Sequence, residues 1–103
     1  MQQLTQEILR LCREYGECRV EVERMEEARR VKNALESVCS MARQRLDISD
    51  PALLLALLDA CEVTRDEGML QEVLDVVGRN LDRLAVSVES VKLLACCYYY
   101  VEE

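Results

Sequence analysis

The chain has 103 residues, of which 50% are apolar, with six cysteines, no histidine and a formal net charge of −7. This length and apolar content suit one folded domain and exclude a disordered chain. The acidic charge disfavours phosphate backbones and anionic membranes, so we expect neither nucleic acid nor membrane as a partner. One Pro and three Gly are too few to punctuate a multi-stranded sheet, and the abundant Leu and Ala favour helices, so the composition predicts an all-α fold.

Residues 1–46 carry apolar side chains spaced alternately by four and by three. This repeat, called the seam below, comprises Leu4, Ile8, Leu11, Tyr15, Cys18, Val22 and Met25, and then, one step out of phase, Ala28, Val31, Leu35, Val38 and Ala42. Such spacing is typical of a helix that packs lengthwise against another helix. It predicts one helix over residues 3–46, roughly 65 Å long, with a local overwinding at the phase change.

A helical hairpin broken at Gly16 is the alternative, because glycine often ends a helix. Against it, the seam keeps its phase through Gly16, and no capping Ser, Thr, Asp or Asn follows that residue. We therefore favour the continuous helix, which is too long to bury its seam inside the domain. Part of the seam is then expected to meet another chain.

A three-helix bundle is predicted over residues 51–103. Asp50 suits an N-cap and Pro51 suits the first helical position, so a helix begins there. It ends near Arg65, and its wide leucine-rich stripe is typical of a central helix that is contacted from two sides.

The other two helices of the bundle are predicted over residues 69–84 and 87–102, with Gly68 marking the turn before the first of them. The apolar side chains on one side of the last helix are Val88, Val91, Leu94, Ala95, Tyr98 and Val101. The earlier of the two helices is strongly amphipathic.

Three segments of this C-terminal half resemble an armadillo or HEAT-type helical repeat. They are the leucine-rich helix opened by Asp50-Pro51, then Leu70-Gln-Glu-Val-Leu-Asp-Val-Val77, and Val88-Glu-Ser-Val-Lys-Leu-Leu-Ala95. The resemblance implies an interaction scaffold rather than an active site, and residues 51–103 as a part of a longer helical-repeat protein.

Catalytic and metal-binding signals are weak. Without histidine the chain lacks the commonest general base and a favoured zinc ligand. The six thiols include no C-x-x-C pair, and no phosphate loop or nucleophile motif occurs. We therefore expect no enzyme activity, cofactor, metal or small-molecule substrate. No secretory signal is visible, so we expect reduced thiols and an intracellular location, either cytoplasmic or nuclear.

Three consecutive tyrosines, Tyr98, Tyr99 and Tyr100, sweep about 300° around a helix, so one domain face cannot bury all three. Three interpretations stay open. Two rings belong to the core and one to the surface, or the rings anchor a partner, or they pack against a further helix of a longer protein.

Together these patterns predict a protein–protein assembly module that homodimerises through the N-terminal helix and presents its acidic C-terminal half to a partner. The predicted interface residues are Leu4, Ile8, Leu11, Tyr15, Val22, Met25, Val31, Leu35, Val38 and the three tyrosines 98–100. The first alternative is a monomeric adaptor that closes the seam internally and binds a partner peptide or helix. The second is a thiol redox or metal sensor.

Overall fold

The computed structural model describes residues 2–102, and this part of the chain contains five α-helices, two short 3-10 turns and no strand. The all-α prediction is therefore confirmed. Met1 and Glu103, the outer ends of the two predicted segments, lie outside the described residues. The helices are α1 (Gln2–Cys18), α2 (Met25–Arg43), α3 (Pro51–Thr64), α4 (Glu67–Arg79) and α5 (Val88–Glu102). Over the described range, no helix has both the length and the apolar character that crossing a membrane requires.

The prediction of one continuous N-terminal helix is wrong. The segment is a hairpin, because α1 ends at Cys18, α2 begins at Met25, and the two helices pack against each other. The longest dimension of the molecule is 47 Å, shorter than the predicted helix. The break also differs from the predicted alternative, since Gly16 lies inside α1 without a positive φ and the chain turns over residues 19–24.

No side chain caps the helix starts at this turn, and charged side chains stabilise it instead. Glu21 adopts extended backbone, with φ −112° and ψ 121°, and a 3-10 turn follows over Val22–Arg24. The Arg24 guanidinium lies 2.9 Å from the Glu27 carboxylate and 3.7 Å from that of Glu21. Arg19 donates a hydrogen bond of 3.1 Å to the carbonyl oxygen of Val63 on α3. The turn is therefore tied both to its own helix and to the centre of the fold.

Helix α3 is the centre of the molecule and contacts all four other α-helices. Seven of its side chains are buried, namely Leu53, Leu54, Ala56, Leu57, Leu58, Ala60 and Cys61. Burial of each leucine contributes about 1.5–3 kcal/mol. The Asp50 carboxylate accepts a hydrogen bond of 3.3 Å from the Leu53 amide, and Pro51 is the first helical residue. Both the start of this helix and its central position are as predicted.

The link between α3 and α4 is shorter than predicted. Arg65 ends α3 in the left-handed region, with φ 59°. The Asp66 side chain then caps α4 by accepting a hydrogen bond of 3.0 Å from the Met69 amide. As a result, Gly68 lies in the first turn of α4 rather than in a loop.

Helix α4 ends at Arg79, five residues before the predicted end, and a 3-10 turn over Leu81–Arg83 follows. Ser87 then opens α5, because its hydroxyl oxygen accepts a hydrogen bond of 3.1 Å from the Ser90 amide. Ser90 is buried, and its hydroxyl lies 2.9 Å from that of Ser87. The cap and the buried serine fix which side of α5 faces the core.

Candidate interaction surface

The seam is divided between α1 and α2, and most of it is buried inside the chain. Its buried side chains are Ile8, Leu11, Cys18, Ala28, Leu35 and Ala42. The partly buried ones are Leu4, Tyr15, Val31 and Val38. Because these side chains pack in the hairpin and its contact with α3, pairing of two chains through them would require the hairpin to open.

Two predicted interface residues lie outside this packing, at the tip of the hairpin. Val22 is 78% exposed and Met25 is 62% exposed, and neighbouring Val20 is exposed as well. Val20 and Val22 lie in the turn between the helices, and Met25 is the first residue of α2, where the seam changes phase. The phase change therefore marks the boundary between two helices, and the predicted overwinding of a single helix is wrong.

The largest exposed apolar surface on one helix belongs to α5. Its outer face consists of Val88, Val91, Leu94, Ala95, Tyr98 and Val101, all of them exposed. Leu94 has the lowest exposure of the five large side chains, at 39%, and Val101 the highest, at 71%. The opposite side of α5, with Ser90, Leu93 and Cys97, is buried against the core. Sequence reasoning grouped the outer face correctly, but nothing in its spacing showed that this side faces solvent.

The three tyrosines have different environments. Tyr98 and Tyr99 are exposed, at 67% and 54%, whereas Tyr100 packs against the core. The Tyr100 hydroxyl donates a hydrogen bond of 2.9 Å to the Glu62 carboxylate on α3. Burial, followed by this hydrogen bond, raises the pKa of Tyr100. The rings of Tyr99 and Tyr100 meet edge to face, with centroids 5.3 Å apart. One ring thus packs against the core and two are on the surface, which differs from the interpretation with two rings in the core and one on the surface.

Charge is confined to one border and to the C-terminal end of the outer face of α5. Lys92 borders the face, Glu102 follows Tyr98 by four residues and so ends the face with a carboxylate, and Glu89 lies further round the helix; all three are exposed. The whole segment 51–103 holds four basic and ten acidic residues. The face is therefore an apolar strip on an acidic half of the molecule.

Two acidic side chains near the helix starts, Glu27 and Asp66, make structural contacts. The Arg24 hydrogen bond lowers the pKa of Glu27, the opposite of the raised pKa that a general acid needs. Asp66 caps α4 and lies 3.7 Å from the Arg43 guanidinium, which also pairs with Glu72. These ion pairs join the end of α2 to α4.

The six cysteines are free thiols, and five of them are buried. Burial raises the pKa of Cys12 and Cys61 to about 12, and that of Cys39 and Cys97 to about 11. A buried thiol with a raised pKa is a poor nucleophile and a poor metal ligand. Among residues 2–102, no group of three or more Cys, Asp or Glu side chains is arranged to hold a metal ion.

No protein-family model, no curated protein and no solved structure matches this chain. The resemblance of residues 51–101 to an armadillo or HEAT-type repeat therefore stays a prediction.

Proposed function

We propose that this chain is a non-enzymatic helical interaction module that binds a helix of a protein partner on the outer face of α5. The observation that carries the proposal is the exposure of five large apolar side chains along one side of a helix whose other side is already buried. Isolated apolar side chains on a surface need no explanation, but a contiguous strip of this size is typical of an interaction site.

The size of the strip supports the proposal. With exposures between 39% and 71%, its side chains present roughly 600 Å² of surface, the upper end of what a monomer leaves uncovered. Tyr98 and Tyr99 add rings of the type that is enriched among interface anchors. Leaving such a strip in water costs free energy that a docked partner recovers.

The spacing of the strip indicates a helical partner. Val88, Val91, Ala95 and Tyr98 follow one another by three, four and three residues, the pattern by which two helices interlock along their length. The small side chain of Ala95, near the middle, allows the axes to approach closely. The proposal retains the predicted assembly function but moves it from the seam to α5, because the seam is occupied inside the chain.

Site-specific photo-cross-linking in cells tests this function whatever protein the partner is. A photoreactive amino acid replaces Val91 in one variant and Met41 in a matched control. Met41 is also apolar and 58% exposed, but it lies on α2. We expect a discrete cross-linked protein adduct from position 91 and none from position 41. Absence of an adduct from position 91, or equal adducts from both positions, would contradict the proposal.

A further inference from the structure

Building on the proposed function, we infer that the occupant of the outer face of α5 is the same face of a second copy of this chain, with the two α5 helices antiparallel. The inference identifies the partner helix and its direction. It rests on the order of large and small side chains along the face, on the area that the face offers, and on the position of the charges.

The order of side chains along α5 is complementary to itself when reversed. Antiparallel helices joined about the middle of the strip bring Val88 beside Tyr98 of the second copy, and Val91 beside Ala95. Each pairing joins a larger side chain with a smaller one, and the same pairings recur on the other side of the two-fold axis. Packing layers of this kind fill space evenly, as a close-packed interface requires.

In a parallel arrangement, the side-chain volumes of the two α5 helices would match poorly from layer to layer. It would place Ala95 against Ala95 of the second copy and Tyr98 against Tyr98. One layer would leave a void and the next would be crowded, and both defects destabilise packing. The sequence of α5 therefore favours the antiparallel direction.

The area also fits a pair of copies. Each chain offers a strip of roughly 600 Å², so complete burial of both strips covers roughly 1,200 Å², the lower end of the range for stable interfaces. Val86, which is 99% exposed, precedes the helix by two residues. An antiparallel partner brings its own Val101 end toward this residue, which extends the buried surface beyond the helix.

The charges permit this contact. Between Val88 and Val101 the strip itself holds no ionised side chain. Glu102, the next position after Tyr98 on this side, lies beyond the pairs formed about the middle of the strip and past the start of the partner's α5, so pairing buries no uncompensated charge. Each copy has a net charge of −7, and the resulting repulsion acts between the surrounding surfaces through water. Salt screens such repulsion, so we expect self-association to strengthen as the salt concentration rises.

Sedimentation equilibrium under reducing conditions tests the inference, over about a hundredfold range of protein concentration. We expect a reversible dimer for the wild type. Val88→Lys and Tyr98→Glu, each made alone, place a charge in an apolar layer and should raise the dissociation constant by roughly tenfold or more. Met41→Glu is the matched control and should leave it unchanged. Circular dichroism checks that each variant keeps its helix content.

The variant that carries both Val88→Lys and Tyr98→Glu tests the direction of the helices. In an antiparallel pair each new lysine meets a new glutamate of the other copy, so dimerisation should recover most of the loss. In a parallel pair like charges meet in both layers, and the double variant should associate more weakly than either single variant. That second result would overturn the antiparallel arrangement.

Two other results would overturn the inference as a whole. One is a wild type that stays monomeric at every concentration and salt level, and the other is a dimer that is insensitive to both single substitutions. If position 91 then cross-links to a different protein, the proposed function still holds, and that protein, not a second copy, is the partner. A wild type that is monomeric and gives no adduct from position 91 would contradict both this inference and the proposed function.

Discussion

The Tyr100 hydroxyl on α5 donates a hydrogen bond of 2.9 Å to the Glu62 carboxylate on α3. This contact joins the last turns of the two helices and fixes the rotation of α5 about its own axis. Since Tyr100 lies on the core side of α5, the bond keeps Val88, Val91 and Tyr98 turned toward solvent. It therefore links the packing of the core to the presentation of the outer face.

Removal of this hydroxyl should weaken the fold modestly. Tyr100→Phe keeps the ring but loses the hydrogen bond, so we expect the free energy of unfolding to fall by about 1 kcal/mol. Tyr98→Phe is the matched control because that ring is 67% exposed, and it should change stability little. Urea denaturation of the three proteins measures both effects. Equal stability of all three would show that the Tyr100–Glu62 bond contributes nothing.

Stability should decline as the pH rises above about 9, because burial raises the pKa of several thiols. An unfolded thiol ionises near its ordinary pKa of 9.0, whereas burial raises the pKa of folded Cys12 and Cys61 to about 12. Above pH 9 the unfolded chain thus binds fewer protons than the folded one, and the free energy of unfolding falls as the pH rises. Each such thiol contributes up to about 1.4 kcal/mol per pH unit. The full contribution is present below pH 9 and is lost progressively toward pH 12.

Urea denaturation at a series of pH values under reducing conditions checks this decline. The control is Cys61→Ala, which removes one of the buried thiols and should make the dependence on pH shallower. Its lower stability at neutral pH, which follows from the cavity, does not affect that slope. A wild-type stability that is flat from pH 9 to pH 11 would contradict the account of the thiols.

Glycine to alanine changes should stabilise helices α1 and α4. Gly16 lies inside α1 and Gly78 inside α4, neither has a positive φ, and a Cβ atom at either position meets nothing within 4 Å. Alanine there reduces the entropy lost on folding, so each change should raise the free energy of unfolding by about 0.5–1 kcal/mol. Thermal or urea denaturation measures the gain. Destabilisation by Gly16→Ala alone would indicate that the chain turns at Gly16 after all.

The C-terminal half could be predicted from local signals that act over a few residues. Asp50 and Pro51 open α3 as expected, and the dense leucines beyond them predicted a helix at the centre of the fold. Caps and apolar density belong to the chain itself and do not depend on what packs nearby. The last helix was predicted over residues 87–102, and α5 spans Val88–Glu102.

The N-terminal half shows where periodicity stops being informative. The seam spacing predicts that a helix packs lengthwise against another helix, but it does not show whether the second helix belongs to the same chain. The turn over residues 19–24 is held by Arg19 and Arg24 through contacts with Val63 and Glu27. A search for capping residues in the sequence cannot predict contacts of this kind. The phase change after Met25 was the signal for two helices.

The two sides of α5 could not be told apart for a different reason. Apolar residues occur all round this helix, so Leu93 and Cys97 compete with Val88 and Val91 for the core. The three-dimensional structure decides between them, because the first pair packs against α3 while the second stays exposed. A helix with apolar residues on both sides is itself an indication of a second contact.

The claim that association depends on α5 and not on the seam is tested most directly by two paired variants of the fluorescently tagged chain. One carries Val91→Glu and Tyr98→Glu on α5, and the other carries Val22→Glu and Met25→Glu at the hairpin tip. Sedimentation velocity in a reducing cell extract measures the size of the assemblies that contain each. We predict that the tip variant keeps the wild-type assembly and that the α5 variant sediments as a single chain. Loss of assembly by the tip variant alone, or a wild type that already sediments as a single chain, would contradict the account.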